Sequence, residues 1–568
     1  MTRTSRRSFI AHTAGVAAAL AVPASSFASR ETAWVDASGE IKLWIDEARE
    51  QIRAAMIKER IPGAAICLVN DRRPVWIEAF GTIDDKSRRP VDLDTIFSIQ
   101  STSKNMTTTA IMLAVQRGLL DLDKPIVAYL PEFTVNSRFD KQPQAKMTLR
   151  HLLSHRAGFT HEAPIGNDDD LSFPSFEAHV QSISDTWLRF PMGDRFRYSN
   201  LGVDLAGFIL QTAMRKPFAA CLKELLFDPL NMRSTTAETS DYMKRANRAL
   251  GHVDGHETRP RALPFIPAGG IYASARDMVA YLKFHIDKGR SGGQALLQEP
   301  LWNEMHSFPF GGAYSLGVAG WKLRFGATNL PTFHHNGGGC GFGSVFRFYP
   351  EQGVGLAVLF NRGVGLAYGW GGALVDKILT RMYGAPQPSV RIEDFPAAVV
   401  STETLGKYVG NWIGRETSGD FRIKEGGLFL KLGREEPRTR VLSSSEIAMS
   451  AGPNGNATHM TYFPATEGST AHIETAFSFT HLDYNDGPND APGPNKAEWR
   501  AYEGKYWLHF WGKPAYEVIA HRQNGYLYLN GVRLVDELQP GLFFSSDGEA
   551  VDFRSDRPTW RSVPLRRA

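Results

Sequence analysis

The sequence predicts an α+β fold, in which one large domain of mixed helices and strands is followed by two small antiparallel β-barrel units. From about residue 40 to 384, strand-like runs such as 64–69 alternate with helical runs such as 106–117. Two strand-like runs flank Pro-Glu-Gln-Gly at 350–353 and form a hairpin pattern. Beyond residue 400 the helical periodicity disappears, and short alternating runs are separated by Gly, Asn and Asp. That last pattern is typical of antiparallel barrels.

The chain divides into four predicted segments. They are a signal peptide at 1–28, the α+β domain at 40–384, the first β unit at 400–485 and the second β unit at 497–568. The two β units share a weak internal repeat, since Tyr-Val-Gly-Asn-Trp at 408–412 is echoed by Tyr-Glu-Gly-Lys-Tyr at 502–506. We therefore expect each unit to be a small β-barrel of its own.

The N-terminus has the parts of an export signal. Arg6 and Arg7 are followed by an uncharged stretch at 11–24 and by small residues at 26–28. The paired arginines favour the twin-arginine route. The Ala-rich apolar stretch is shorter than the roughly 20 residues that a membrane-spanning helix needs. We expect a periplasmic or secreted protein without stable membrane insertion after signal removal.

Charge and cysteine content exclude several classes of function. The formal net charge is +4 at pH 7, and much of it belongs to the arginines of the predicted signal, which is unlike a nucleic-acid binder. Three cysteines in 568 residues argue against a disulfide framework. His151 and His155 are four residues apart, but no Cys or acidic ligand accompanies them, so no metal is predicted. No organic cofactor is implied, and a homodimer stays open.

Ser101 and Lys104 form the first motif with a chemical meaning. They are the only Ser and Lys spaced three apart in this order along the chain. Three residues along a helix bring two side chains onto one face, about 5 to 6 Å apart. A serine with a basic neighbour is a candidate nucleophile. Taken alone, the pattern also fits an exposed helix N-cap.

Two further motifs follow in a meaningful order. Tyr198-Ser-Asn200 comes after the Ser-x-x-Lys pair, and His335-Asn-Gly337-Gly338 runs directly into the predicted hairpin. In order and spacing, the three motifs resemble those of the serine β-lactamase and penicillin-recognising superfamily. The resemblance covers roughly residues 45–384 and is to the class C-like branch that includes D-aminopeptidase and related esterases.

The resemblance implies a fold and a set of roles. The fold is an antiparallel sheet with helices on both faces and a helical subdomain. Ser101 would attack a carbonyl and form an acyl-enzyme, with Lys104 and Tyr198 jointly taking the serine proton. Asn200 would hold Lys104 or the substrate amide. The backbone N–H groups of Ser101 and Gly338 would bind the developing oxyanion.

His335 departs from the motif of the best-known members. β-Lactamases and D,D-peptidases of the superfamily usually carry a Lys there, which meets the substrate carboxylate. A histidine is mostly neutral near pH 7, although Arg347 on the following strand is a candidate replacement for the missing charge. Gly337 and Gly338 follow as predicted substrate- and oxyanion-binding positions. The departure counts against β-lactam hydrolysis and carboxypeptidase action.

The His-x-Gly motif and the two β units resemble the D-aminopeptidase branch, in which a loop of the last barrel narrows the active site. We expect an exported aminopeptidase that acts on small peptides or amides with a D-residue preference. Its anion for the substrate ammonium would come from an acidic loop, 168–170 or 483–490. The alternatives are a carboxylesterase, a β-lactamase or D,D-peptidase-related penicillin-binding protein, and a binder of peptidoglycan peptides without turnover.

A rival serine lies in the Gly-x-Ser-x-Gly pattern at 289–293, which fits the nucleophile elbow of α/β-hydrolases. The elbow needs a strand before it and a helix after it. Here a predicted helix at 277–287 precedes it, so we interpret Ser291 as part of a Gly-rich loop. We also interpret His151 and His155 as structural residues.

Overall fold

A computed structural model of the chain describes residues 32–35, 37, 39–167, 170, 172–253, 256–258, 264–362, 372–384, 392–395, 397–413, 418–432, 435–451, 456–465, 471–474, 478–482, 492–510 and 513–568. The predicted signal peptide at 1–28 and the acidic loop at 483–490 lie outside these described residues, as do Asp168 and Asp169. No helix within the described ranges is long and apolar enough to cross a membrane.

Among the described residues, the α+β domain contains a seven-stranded antiparallel sheet and the helices that cover it. Its helices are α1 Glu40–Glu59, α2 Ser103–Gln116, α3 Leu149–Leu153, α4 Phe176–Ser182, α5 Asn200–Met214, α6 Phe218–Leu222, α7 Thr239–Lys244, α8 Ile266–Gly269, α9 Ala275–Ile286, α10 Glu299–Met305 and α11 Gly372–Tyr383. Its strands are β1 Thr32–Val35, β2 Gly63–Asn70, β3 Arg73–Gly81, β4 Phe97–Ser98, β5 His252–Val253, β6 His256–Glu257, β7 Tyr272–Ala273, β8 Arg290–Ser291, β9 Gln294–Ala295, β10 Ala319–Phe325, β11 Thr328–Gly339, β12 Phe342–Tyr349 and β13 Val354–Phe360. The sheet has the order β1-β3-β2-β13-β12-β11-β10, so early and late strands meet at its centre.

Strand β2 illustrates how the sheet separates two hydrophobic layers. Successive side chains of a strand point to opposite faces. Ala64, Ile66 and Leu68 pack with α1 and α11 on one face, whereas Cys67 and Val69 pack with α9 and the helical subdomain on the other. Because both faces are covered, the strand reads as a continuous apolar run instead of an alternating one.

Helix α2 runs through the interior of the helical subdomain. Every side chain from 103 to 114 is buried, as is typical of a helix without a long polar face. Its threonines bond to nearby carbonyls, for example Thr107 Oγ1, which donates to Pro267 O at 2.7 Å. A helix packed on all sides holds its N-terminal end in place, and that end carries Lys104 and directly follows the turn of Ser101.

Both C-terminal regions are eight-stranded antiparallel structures, as far as the described residues show. The first β unit contains α12 Thr402–Gly406 and the strands β14 Gly410–Ile413, β15 Ser418–Lys424, β16 Gly427–Leu432, β17 Thr439–Val441, β18 Glu446–Ala451, β19 Asn456–Phe463, β20 His472–Glu474 and β21 Ser478–Leu482. The second contains β22 Gly504–Phe510, β23 Lys513–Gln523, β24 Tyr526–Leu529, β25 Val532–Gln539, β26 Leu542–Ser545, β27 Ala550–Asp552, β28 Thr559–Trp560 and β29 Val563–Arg567.

The two β units differ in whether their strands form a closed barrel. The second is a closed barrel from β22 to β29. In the first, the edge strands β16 and β17 approach each other closely enough for Thr439 Oγ1 to donate a hydrogen bond to Leu428 O. Each unit has its own hydrophobic cluster, which includes Trp412 in the first and Trp499 in the second. The α+β fold with C-terminal β structure is confirmed.

Several local predictions can be compared directly with the structure. The hairpin around 350–353 is confirmed, because β12 and β13 pair from Gly343↔Phe360 to Tyr349↔Val354. The helical run at 106–117 belongs to α2, which begins earlier, at Ser103. Ser291 lies after α9, in the two-residue strand β8 that pairs with β9. This is not the strand–turn–helix of a nucleophile elbow.

Gly337 provides a test of how closely β11 approaches the turn that carries Ser101. A Cβ at this position would lie 2.1 Å from Ile99 O and 2.5 Å from Ser344 Oγ. We expect Gly337→Ala to lower the free energy of unfolding by about 1 to 3 kcal/mol. The added methyl group would collide with Ile99 O, so the backbone of β11 or of the turn would have to shift. Urea unfolding measures the change in free energy.

The matched control is Gly372→Ala at the start of α11, where a Cβ would meet nothing within 4 Å. Since Ala favours a helix over Gly by up to about 1 kcal/mol, this variant should be neutral or slightly stabilised. Equal destabilisation by the two substitutions would contradict the close approach of β11.

Candidate active site

Ser101 lies in a single 3₁₀ turn, Gln100–Thr102, that leads directly into α2. Gln100 has φ 48°, in the left-handed region that non-glycine residues rarely adopt. This turn leaves the Ser101 side chain partly exposed while the residues that follow are buried. The residue at the N-cap of α2 is Thr102, and no side chain caps the helix there. Ser101 is therefore not an N-cap, which removes the alternative interpretation of the Ser-x-x-Lys motif.

Lys104 is fully buried, and three hydrogen-bond acceptors surround its Nζ. Nζ donates to Ser101 Oγ at 3.2 Å, to Asn200 Oδ1 at 2.8 Å and to Ala268 O at 2.8 Å. Burying a charged amine is costly unless it is well bonded. These three acceptors, which come from three different segments, supply those bonds.

The same geometry also fits the neutral amine that a general base requires. A neutral amine has two hydrogens and one lone pair. Asn200 Oδ1 and Ala268 O can only accept hydrogen bonds, so they keep the two hydrogens. The lone pair is then left facing Ser101 Oγ, which is within the distance required for proton transfer.

Tyr198 places its ring over the lysine. Lys104 Nζ lies 4.9 Å from the centroid of the Tyr198 ring, a distance at which the ring face stabilises a cation. On its other sides, the ring contacts His155 at 4.4 Å and His335 at 6.3 Å between centroids. His155 accepts a hydrogen bond at Nδ1 from Ser199 N, so this histidine holds the Tyr198 segment in place.

Asn200 joins Lys104 to a carboxylate that the sequence analysis did not identify. While Oδ1 accepts from Lys104, Nδ2 donates to Glu162 Oε1 at 3.2 Å. The Glu162 carboxylate also pairs with His161 Nδ1 at 2.5 Å, and its side chain is 12% exposed. Burial disfavours the charged carboxylate, but the contacts with His161, together with His179 and Lys104, lower the pKa of Glu162 below its usual range. Glu162 is therefore an anion at the edge of the site.

His335 is held as a neutral ring with a defined tautomer. Burial and the positive charge of Lys104 lower the pKa of His335 to about 3. Nδ1 lies 2.8 Å from Asn336 O, and because a carbonyl cannot donate, Nδ1 must carry the hydrogen. Nε2 then accepts from the Tyr314 hydroxyl at 3.0 Å. Burial raises the pKa of Tyr314 well above its ordinary value, so this hydroxyl remains a donor.

Strands β11 and β12 both contact the turn that carries Ser101. Ser344 Oγ, on the neighbouring strand β12, donates to Ile99 O at 2.7 Å and shares a 2.8 Å hydrogen bond with Thr102 Oγ1. Gly337 is buried against this turn, and Gly338, paired with Gly343 on β12, is exposed. The predicted oxyanion position at Gly338 thus lies on the strand that packs against the turn of Ser101.

The acceptor Ala268 O is itself positioned by a buried pair. Asp204 Oδ1 accepts a hydrogen bond from Ala268 N at 2.9 Å, and Asp204 Oδ2 lies 3.2 Å from His179 Nε2. His179 Nδ1 contacts Ile165 O at 2.8 Å. Asp204 could have been found from the sequence, because it follows Asn200 by four residues on one helix and such residues share a face. Tyr314 had no comparable signal.

Arg347 does not compensate for the missing lysine. It pairs with His334 in the register of β11 and β12, whereas His335 pairs with Phe346. Cross-strand partners lie on the same face of a sheet, so Arg347 is on the face opposite His335. Its charge acts there on Asp376 of α11. A substrate carboxylate beside His335 would not meet it.

This geometry can be compared with known proteins. The family profile described as Beta-lactamase matches residues 48–371. The chain belongs to the beta-lactamase family. The superfamily inferred from the three motifs is thereby confirmed, and its members are usually serine hydrolases.

Two relatives and one solved structure show which kinds of protein this chain is similar to. It is 26% identical to the Beta-lactamase of Yersinia enterocolitica over 338 residues, which is 54% of this chain and 83% of that protein. It is 28% identical to Esterase EstB of Burkholderia gladioli over 190 residues, or 32% of this chain and 48% of that protein. The crystal structure of SurE with D-Leu has a TM-score of 0.55 at 19% identity and covers 78% of this chain and all of that one.

Replacing Lys104 tests whether its amine takes part in the reaction. Lys104→Met keeps a side chain of similar length but has no proton acceptor. Since a positioned general base contributes roughly 10²- to 10⁴-fold, we expect kcat for a p-nitrophenyl ester to fall by about that factor. The control is Lys283→Met on α9, whose Nζ bonds to Arg72 O away from the site. An unchanged kcat in folded Lys104→Met would contradict this role.

The depressed pKa of His335 also predicts a pH dependence of stability. Folded His335 gains its proton near pH 3, whereas an unfolded histidine gains it near pH 6.5, so between these values the unfolded state binds more protons. The stability that depends on neutral His335 is complete above about pH 6.5 and declines as the pH falls towards 3.

We therefore expect the free energy of unfolding of His335→Gln to fall less steeply than that of the parent protein between about pH 6.5 and 4. Urea unfolding at a series of pH values measures the slope. His256→Gln, which replaces an exposed histidine, is the control and should keep the parental slope. Identical slopes for the parent and His335→Gln would contradict the lowered pKa of folded His335.

Proposed function

We propose that this protein is an exported serine hydrolase that forms an acyl-enzyme on Ser101 and acts as an aminopeptidase on small peptides or amides. The observation that carries the proposal is the charge pattern of the site. The anion Glu162 lies beside Asn200 and Lys104, and His335 is uncharged at the position where the resemblance to β-lactamases and D,D-peptidases implies a lysine. Such a site suits a substrate with an ammonium group better than one with a free carboxylate.

Acylation follows from the contacts around Ser101. The bond between Ser101 Oγ and the substrate carbonyl carbon forms as the serine proton moves to the pair of Lys104 and Tyr198. The carbonyl oxygen becomes an oxyanion next to the backbone N–H groups of Ser101 and Gly338. The C–N bond then breaks, the proton passes to the leaving amine, and the acyl group stays on Ser101.

Deacylation reverses the proton path with water. A water molecule attacks the acyl carbonyl, gives its proton to the same Lys104 and Tyr198 pair, and the Ser101–carbon bond breaks with return of a proton to Oγ. The Tyr198 ring stabilises the lysine while it is charged in each half-reaction. No step needs a metal or an organic cofactor.

Glu162 is the proposed anchor for the substrate ammonium. Its carboxylate is part of the wall next to Lys104, through Asn200, and remains partly open to solvent. An ammonium that pairs with it would place the adjacent carbonyl near Ser101. We extend the proposal to a D-residue preference, which is consistent with the SurE structure that was solved with D-Leu.

A carboxylesterase is the second candidate. The similarity to Esterase EstB favours it, because an ester needs the same acyl-enzyme chemistry without an ammonium anchor. The two candidates differ in what Glu162 does. It is essential for binding in an aminopeptidase and dispensable in an esterase.

The test compares D-Ala and L-Ala p-nitroanilides with N-acetyl-D-Ala p-nitroanilide, p-nitrophenyl butyrate and a chromogenic cephalosporin. We expect turnover of the D-Ala substrate that is abolished in Ser101→Ala. In Glu162→Gln, which can still accept from Asn200, kcat/KM for D-Ala p-nitroanilide should fall roughly 10- to 100-fold, since one side of a charge pair is removed. For the same variant, kcat/KM for p-nitrophenyl butyrate should change little.

The control for Glu162 is Glu177→Gln, a substitution of an exposed acid on α4. Cleavage of the butyrate ester without any anilide would favour the carboxylesterase and contradict the aminopeptidase. An equal loss in Glu162→Gln for substrates with and without the ammonium would contradict the anchor. Equal rates on D-Ala and L-Ala would contradict the stereochemical preference.

A further inference from the structure

Both β units insert buried acidic side chains into the part of the α+β domain that carries Tyr198. The acceptors are Glu474 at the end of β20, and Asp547 and Glu549 in the turn between β26 and β27. Their partners are Arg156 and Arg189. All five side chains are 8% exposed or less. These contacts are far from ordinary surface ion pairs, which are exposed and contribute little.

Glu474 of the first β unit binds two segments at once. Its two carboxylate oxygens accept from Arg156 Nη1 at 2.9 Å and Nη2 at 2.7 Å. The oxygen that accepts from Nη1 also accepts from the backbone N–H of Phe196 at 2.9 Å. Phe196 is two residues before Tyr198, so Glu474 holds the backbone of that irregular segment directly.

Glu549 of the second β unit makes the corresponding contact from another side. Oε1 pairs with Arg189 Nη1 at 2.7 Å, and Oε2 accepts from Thr160 Oγ1 at 2.8 Å. Thr160 O in turn accepts from Ser199 Oγ at 2.5 Å. The chain of hydrogen bonds therefore runs from the second barrel through Thr160 to Ser199, the residue between Tyr198 and Asn200.

The turn of the second barrel is shaped for this contact. Gly548 has φ 82°, and a Cβ there would lie 2.5 Å from Arg189 O. Asp547 supports the same arginine, since Arg189 Nη2 donates to Asp547 O at 2.7 Å and to Oδ2 at 3.2 Å. Close backbone packing and buried charge pairing together fix the turn against the α+β domain.

We propose that Glu474 and Glu549 are positioning residues for Tyr198 and Asn200, so that the two β units complete the active site. Each acts through a neighbour: Glu474 through Phe196 N–H, and Glu549 through Thr160 and Ser199. The account rests on the acyl-enzyme chemistry proposed for Ser101, but not on whether the substrate is an amide or an ester.

The consequence is that the orientation of Tyr198 over Lys104 depends on residues more than 270 positions away in the sequence, as with the Phe196 to Glu474 bond, which spans 278 residues. Removing one carboxylate would leave a buried arginine without its full set of acceptors, which costs stability. A test must therefore separate a loss of folding from a loss of geometry.

The experiment measures the rate at which Ser101 is labelled by a fluorophosphonate, followed by intact mass, in the full mature chain. The variants are Glu474→Leu, Glu549→Leu, Thr160→Val and Thr160→Ser, with Glu517→Leu as control because Glu517 pairs with Lys505 on the exposed surface of the second barrel. Thermal unfolding of each variant gives the fraction folded at the assay temperature. The pH dependence of labelling reports on the Lys104 and Tyr198 pair.

We expect labelling of folded Glu474→Leu, Glu549→Leu and Thr160→Val to slow by roughly tenfold or more, with a shifted pH midpoint, because each variant lacks one hydrogen-bonding group of the two paths. Thr160→Ser keeps the hydroxyl and should label at nearly the parental rate, as should Glu517→Leu. For any substrate that is turned over, kcat should fall while KM stays within about threefold.

Parental rates and pH midpoints in the folded variants would overturn the proposal. So would a loss that matches the unfolded fraction, or equal rates for Thr160→Val and Thr160→Ser. A parent protein that is not labelled on Ser101 would overturn the acyl-enzyme chemistry as well, which distinguishes that failure from the failure of the positioning role alone.

A double variant separates the effect of an unpaired buried charge from the loss of the hydrogen bond to Phe196 N–H. In Arg156→Met/Glu474→Leu no unpaired charge is left, so its stability should approach that of the parent. Because Phe196 N–H still lacks its acceptor, we expect labelling to remain slow. Recovery of the parental rate in this variant would show that the charge pair affects only stability, and would contradict positioning by Glu474.

Discussion

The three hydrogen bonds of the buried Lys104 amine are the interactions on which the rest of the site depends. A charged amine in a protein interior is tolerated only if its hydrogens are bonded, and here the acceptors come from the turn of Ser101, from α5 and from α8. One lysine thus fixes three elements relative to each other. Nζ also faces Ser101 Oγ, so the same amine, in its neutral form, is placed to take the serine proton.

Support for this lysine extends outward in layers. Asp204 holds the Ala268 peptide, and Glu162 orients the amide of Asn200 so that its oxygen meets Lys104. Beyond them, carboxylates from the two β units hold the segment of Tyr198. Each layer satisfies a polar group that burial would otherwise leave unpaired. These contacts link both β units to the segment that carries Tyr198.

The sequence was most informative where chemistry needs residues at short spacing. Ser101 and Lys104 are neighbours on one turn, and their contact follows from helix geometry. The pairing of β12 with β13 was likewise readable from alternating runs. Glu162 and Tyr314 reach the site from irregular segments, and Glu474 from a distant β unit. No local spacing predicts such contacts, since they depend on tertiary packing. The role of Arg347 failed for another reason: side chains alternate along a strand, and it lies on the face opposite His335.

The most direct test of the central claim is the mass of the protein after brief reaction with a D-Ala ester or anilide and acid quenching. Acyl transfer through Ser101 predicts a transient gain of one alanyl group, located by peptide mapping on the segment that contains Ser101 and lost again as water completes the cycle. Turnover without any adduct, or an adduct on the segment that contains Ser291, would contradict the mechanism derived from the Lys104 contacts.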